Sequence, residues 1–292
     1  MEKATFMTVT TKRSLMIGGA MLLIVVAYVH GQQFGNQPAK LDLVKVKDDL
    51  FVIHNQFVPG NTTALVTNEG VVLVDDKFEI DAPNILATLK TVTNQPVRYV
   101  INTHHHGDHS GSNAKFQAAN TIVVATEKAR VNMVDGKQPG QPTVTFTDRG
   151  AIHLGGKDVL TYYFGRSHTN GDAVVLFPAQ RVLAAGDMFT FGDDVPQLVD
   201  YAGGGSAKEW TSTLDGALQL DFDTVVPGHG NPTTKAEMQK FRTSTLTLRN
   251  RVHDMIVQKK TKAEIEKMLR SDFHFADLHI QRSLDGLLVE LQ

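Results

Sequence analysis

Thr103-His104-His105-His106-Gly107-Asp108-His109-Ser110 is the stretch around which the rest of this chain is read. Before it, Val97-Arg98-Tyr99-Val100-Ile101-Asn102 is an apolar run that reads as a buried strand ending in polar residues. After it, Ser112-Asn113-Ala114-Lys115-Phe116 has the form of a short helix starting behind a serine cap. In extended chain, residues two apart project to the same side, so His104 and His106 point together. Asp108 and His109 fall where the chain turns and face the same hollow from another direction. Neutral imidazole nitrogen and carboxylate oxygen are ligands of zinc and its neighbours. Five such donors in six residues are enough to begin two sites. His105, wedged between two other histidines, reads as a packed or surface residue rather than a ligand.

The pattern His104-x-His106-x-Asp108-His109 resembles the signature of the metallo-β-lactamase superfamily, the αββα-sandwich metallohydrolases. The resemblance implies an α+β fold of two mixed β-sheets packed face to face with helices outside. It also implies a further histidine, then an acid or cysteine at a strand end, then a last histidine. His168, in the turn Gly165-Arg166-Ser167-His168-Thr169-Asn170-Gly171-Asp172, matches the first of these. Asp187 follows the strand Arg181-Val182-Leu183-Ala184-Ala185, and His229 closes Thr224-Val225-Val226-Pro227-Gly228. On this resemblance two zinc ions are expected, with iron or manganese as the alternative. His104, His106 and His168 would hold one, Asp108, His109 and His229 the other, while Asp187 and a hydroxide bridge them. That hydroxide would attack a carbonyl carbon, with Asp108 orienting it and relaying its proton. Asp75 ends the strand Val71-Val72-Leu73-Val74 and matches the family acid that supports the site from behind; on its residues alone it reads equally as a strand-end polar group. Asp172 is expected to buttress His168 by accepting its outer imidazole N–H.

Departures from the namesake enzymes bear on substrate. Zinc β-lactamases of this superfamily usually carry cysteine or serine at the position of Asp187, whereas its glyoxalase II, lactonase and phosphodiesterase-like members carry aspartate. Met188-Phe189-Thr190-Phe191 also lacks the lysine that some β-lactamases use to grip a substrate carboxylate. A small cyclic amide or ester is therefore the expected substrate, a lactone at least as much as a β-lactam. Thioester hydrolysis, sulfur oxidation at one iron as in persulfide dioxygenases, and a non-catalytic metal-binding scaffold are the alternatives. Phe189, Phe191 and Tyr201 form either an apolar substrate wall or ordinary core packing. The sequence leaves open the natural substrate, the metal loaded and the oligomeric state, a homo-oligomer included.

The chain's 29 Lys plus Arg against 31 Asp plus Glu give no basic excess to draw nucleic acid or an anionic membrane. With no cysteine, disulfides, thiolate ligands and a cysteine nucleophile are all excluded. Lys12 and Arg13 precede an apolar run over residues 15–29, about 15 residues against the roughly 20 a membrane span needs. Residues 1–31 thus read as a signal peptide, or else a retained N-terminal anchor, with periplasmic or secreted localisation. Residues 32–42 are a linker, 43–232 the metallo-β-lactamase-like domain and 233–292 a C-terminal helical segment packed on it. Helices are expected over 79–93, 233–258, 261–270 and 279–288, and Lys208 and Trp210 open another. His253, His274 and His279 have no ligand spacing and are expected at the surface.

Overall fold

In a computed structural model, residues 40–55, 60–192 and 198–292 are described, so the expected signal peptide or anchor at residues 1–31 and nearly all of the expected linker lie outside them. Among the described residues no helix is long and apolar enough to cross a membrane.

The first sheet follows chain order: β1 (Asp42–Lys45), β2 (Leu50–His54), β3 (Thr62–Val66), β4 (Val71–Val74), β5 (Val97–Ile101), β6 (Ile122–Thr126) and β7 (Val144–Phe146). Its first four strands pair antiparallel through hairpins and its last four parallel. The parallel part needs crossovers, and three helices supply them: α1 (Ala82–Leu89), α2 (Gly107–Ser110) and α3 (Asn113–Ala118), with α4 (Glu127–Asp135) leading into β7. The second sheet runs β8 (Arg149–Leu154), β9 (Lys157–Tyr163), β10 (Ala173–Phe177), β11 (Val182–Gly186), β12 (Thr224–Pro227) and β13 (Thr233–Thr234). It is antiparallel except where α5 (Ala207–Leu218) carries the chain from β11 to a parallel β12. After β13 come α6 (Lys235–Val257), α7 (Lys262–Phe273) and α8 (Asp277–Glu290).

Strand alternation builds the layers. In β10, Val175 and Phe177 meet Leu50, Leu65, Val72 and Ile101 of the other sheet, while Val174 and Leu176 turn outward onto the helices. Behind the first sheet, Ile85 and Leu89 of α1 and Phe116 of α3 cover Leu73, Val100 and Val123. Behind the second, Trp210, Leu214, Leu248, Ile265, Leu284 and Leu287 form one apolar core. Each such side chain, removed from water, contributes about 1.5–3 kcal/mol. This is the expected αββα sandwich of two facing mixed sheets, and α6 to α8 share its core.

Several local expectations shift. Ser112 stands at the α3 cap, but its hydroxyl donates to Phe78 O (2.6 Å) and caps nothing. The first predicted helix is a short 3-10 turn at Glu79–Asp81 followed by α1, with Pro83 near its start. His279 is half-buried beside Phe275, not at the surface.

Candidate metal centre

Four chain segments end at the same edge of the sandwich. β5 delivers residues 103–109, the β9–β10 turn delivers His168, and the parallel pair β11 and β12 delivers Asp187 and His229 just past their register partners Gly186 and Pro227. Donor atoms of His104, His106, His168 and Asp187 all lie within 4.8 Å of one another, as do those of Asp108, His109 and His229. His106 Nδ1 is 3.0 Å from His168 Nε2, and His229 Nε2 is 3.4 Å from both His109 Nε2 and Asp108 Oδ2. Asp187 stands between the two sets, with Oδ1 3.2 Å from His109 Nε2 and Oδ2 3.5 Å from His168 Nε2 and 3.2 Å from His229 Nε2.

Which nitrogen of each ring faces the hollow follows from the partner on the opposite edge of that ring. His168 Nδ1 donates to Leu198 O (2.8 Å), leaving Nε2 as the lone pair. His106 is turned the other way: Nε2 donates to Asp200 Oδ2 (2.8 Å), so Nδ1 faces in. His109 Nδ1 donates to Asp75 Oδ2 (2.8 Å). The hydroxyl of Thr103 donates to that same Asp75 oxygen (2.8 Å) and so receives His104 Nδ1–H (3.1 Å). Four imidazole lone pairs therefore converge on one buried space.

That convergence is what a cation requires. His106 Nδ1 and His168 Nε2, both acceptors, confront each other at 3.0 Å, and two lone pairs hold that distance only around a positive charge. His104 Nε2 and Asp187 Oδ1 are buried with no hydrogen-bond partner, a costly state that a bound cation relieves. The donors, imidazole and carboxylate without thiolate, suit zinc, iron or manganese.

Electrostatics agree with the geometry. Burial alone would raise the Asp187 carboxyl, yet His229 and His109 beside it hold it well below the usual carboxylate range. Burial first, then His109 and His106, push His104 far below an ordinary histidine, so it stays neutral. Burial would also lift Asp200, and its bond with His106 pulls it down to about 2.

The expected role of Asp172 is corrected here, and the choice between wall and core at Phe189, Phe191 and Tyr201 falls to core. Asp172 does not touch the His168 imidazole; its carboxylate accepts from Ser167 Oγ, Thr169 Oγ1 and Thr169 N–H (2.8 Å), bracing the turn's backbone instead. The outer nitrogen it was expected to hold is taken by Leu198 O. Phe189 is only 1% exposed and packs edge-on against Phe241, so it is core and lines no cleft. Tyr201 is likewise packed against α8, its hydroxyl donating to Glu290 (2.7 Å), and Phe191 packs beside Phe189 with its backbone N–H on His229 O (2.9 Å). His105 turns away towards Asn132 (3.3 Å).

Two residues escaped the sequence reading. Asp200 has no motif around it, and its partner His106 is 94 residues away. Lys77, next to two aspartates, looks like surface charge but is 0% exposed, with its ammonium donating to Gly60 O. Burial draws it down to about 8 against the pull of Asp81, Asp108 and Asp75.

Residues 55–229 match the family model described as the metallo-beta-lactamase superfamily. A type 2 metallo-beta-lactamase of Elizabethkingia meningoseptica is 27% identical over 206 residues, covering 67% of this chain and 81% of that protein. Metallo-beta-lactamase IND-1 of Chryseobacterium indologenes is 28% identical over 176 residues, 58% of this chain and 71% of that one. Among solved structures, a metallo-beta-lactamase from Pontibacter korlensis superposes with a TM-score of 0.63 at 24% identity, covering 70% of this chain and 99% of its own. The DIM-1 metallo-beta-lactamase gives 0.63 at 19% identity, covering 72% and 98%. At these identities the solved structures attest the fold alone.

Proposed function

Because the chain belongs to the metallo-beta-lactamase superfamily, we propose that it is a dinuclear zinc hydrolase acting on a small cyclic amide or ester, a β-lactam or a lactone. That it is a metal-dependent hydrolase of small molecules follows from the family; the two ions, their identity and the substrate are our reading. One observation carries it: the Asp187 carboxylate lies between the two donor sets, Oδ1 beside His109 and Oδ2 between His168 and His229.

His104, His106 and His168 would hold one cation, Asp108, His109 and His229 the other, with Asp187 reaching both. When bound, such a pair supplies a Lewis acid and lowers the pKa of water from about 15.7 towards about 7. The chain supplies the rest. Burial would raise Asp108, but His109 and His229 outweigh it and keep it ionised, so its carboxylate can accept a hydrogen bond from an attacking water and orient it. Its Oδ2 lies 3.4 Å from both His109 Nε2 and His229 Nε2, and its partly exposed carboxylate would relay the proton to a leaving nitrogen or oxygen. Asp75, through Thr103 and His109, fixes two of the rings. No serine or cysteine nucleophile enters this scheme.

The relatives named as metallo-beta-lactamases support a β-lactam. An aspartate at 187 and no lysine in residues 188–191 support a lactone. The apolar run behind Lys12 and Arg13 supports export. The deciding experiment is metal analysis of the zinc-replete protein together with a panel of chromogenic β-lactams, lactones and thioesters. About two zinc ions per chain, with turnover of a lactam or lactone that Asp187→Ala abolishes, is the expected result. Thioester turnover alone, a single tightly held iron, or no turnover by a fully loaded protein would replace this reading.

A further inference from the structure

Two of the site's histidines take their orientation from one short segment, residues 198–206, which contains neither strand nor helix. Leu198 O receives His168 Nδ1–H, Asp200 Oδ2 receives His106 Nε2–H, and Asp200 N–H donates to His168 O (2.8 Å). A segment without a ladder of its own must be fixed from outside, and its other side rests on α8. Ser283, fully buried, accepts from Val199 N–H (3.2 Å) and donates to Val199 O (3.0 Å). Glu290 accepts from Tyr201 Oη (2.7 Å), Ser206 Oγ and Lys208 N–H (3.3 Å). Between them Gly286 admits the Tyr201 ring so closely that a Cβ there would come within 2.1 Å of it. Positions 283, 286 and 290 are spaced three and four apart, so they share one helix face.

We propose that α8 is a positioning element of the metal centre, with Ser283, Gly286 and Glu290 holding segment 198–206 and, through it, the outer nitrogens of His106 and His168. This rests on the reading that those histidines hold a cation. The matched family region ends at residue 229, so Ser283, Gly286 and Glu290 lie beyond it while the segment they hold lies within it. Its influence is one-sided. His109 is oriented by Asp75, and His229 meets Gly60 N–H at Nδ1 (3.2 Å); neither depends on the segment. Loosening the clamp therefore weakens the His104–His106–His168 set and spares Asp108–His109–His229.

The test is cobalt(II) titration of the metal-free full chain, followed by visible absorption, in the wild type, Ser283→Ala, Glu290→Gln, the double variant and Leu287→Ala. Leu287 is fully buried on the same face of α8 but has an apolar side chain that makes none of the clamp's hydrogen bonds, so its truncation reports what loosened packing alone does. In the clamp variants the affinity for one of two cobalt equivalents falls about 10-fold and its absorption bands change, while the other equivalent is unaltered. In the metal-free protein the slowly exchanging imidazole N–H resonances of His106 and His168 vanish from the clamp variants, and that of His109 persists. Leu287→Ala lowers the melting temperature and leaves the cobalt profile unchanged. Equal weakening of both equivalents, no weakening, or a Leu287→Ala profile matching the clamp variants overturns the positioning role alone. A wild type that takes up no cobalt overturns the site reading and this inference together.

Discussion

The carboxylate of Asp75 lies 2.8 Å from Nδ1 of His109, inside a space that water does not reach, and this contact joins β4 to the histidine cluster. The same carboxylate receives Thr103 N–H (2.7 Å) and the Thr103 hydroxyl, so one residue sets the rings of both His104 and His109. Asp75 adopts φ 63°, a left-handed conformation that asparagine tolerates well, so Asp75→Asn changes the chemistry with little backbone strain. The variant should fold and lose about 10- to 100-fold in metal affinity. Dialysis against zinc buffers followed by elemental analysis measures this; undiminished zinc retention would show that Asp75 does not orient the rings.

Metal uptake should depend on pH differently at the two donor sets. Burial favours a neutral His109, but Asp108, Asp187 and Asp75 raise its proton affinity well above an ordinary histidine's. Burial likewise opposes, and Asp187 overcomes, the rise at His229. Loading that set must expel protons, so its affinity falls as pH drops through these raised values, whereas His104 is lowered and stays unprotonated. For the metal-free fold, the same raised groups add stability that is full below the unfolded histidine pKa of about 6.5 and is lost as pH climbs through the folded values. Cobalt titrations over a pH series should show the affinity of one equivalent falling more steeply with acid than that of the other. Parallel weakening of both would contradict the assignment.

Gly228 leaves room for Asp187: a Cβ at residue 228 would fall 2.0 Å from Asp187 Oδ1 and 2.6 Å from the Gly186 carbonyl carbon. Gly228→Ala must therefore push the carboxylate out of place. A displacement near 1 Å is expected to cost about 100-fold in kcat. Steady-state kinetics on the best substrate of the panel, with a far-ultraviolet spectrum to confirm folding, checks it. A variant with wild-type kcat would remove Asp187 from the centre of the mechanism.

Chelation should both inactivate and destabilise. The metal-free protein retains buried donors without partners, His104 Nε2 among them. Zinc at about 100 times its dissociation constant should add about 2.7 kcal/mol per site to the folded state. Calorimetric melting before and after chelator, then after zinc is restored, reads this directly; a melting point indifferent to metal would argue against occupancy of the site.

Much of the site could be read from the chain because residue type fixes donor chemistry, and strand-to-turn boundaries are marked by local pattern. His104, His168, Asp187 and His229 follow apolar strands, with Asp108 in the turn just after His106, and the fold brings those strand ends to one edge. What failed to be legible lacked any local mark. Phe189 could not be told from a cleft residue because core and wall call for the same aromatic side chain. The carboxylate of Asp172 lies within reach of its own turn's Ser167 and Thr169, and these short-range partners claim it.

By itself, the sequence determined which donors exist, their order and the absence of thiolate, and the resemblance carried by those donors implied two sheets with helices outside. Only the tertiary structure decided which nitrogen of each imidazole faces the hollow. A ring's inward nitrogen is set by the acceptor on its far edge, and those acceptors, Asp75 for His109, Leu198 for His168 and Asp200 for His106, come from 30 or more residues away. Folding must bring them there before either orientation acquires a lower free energy.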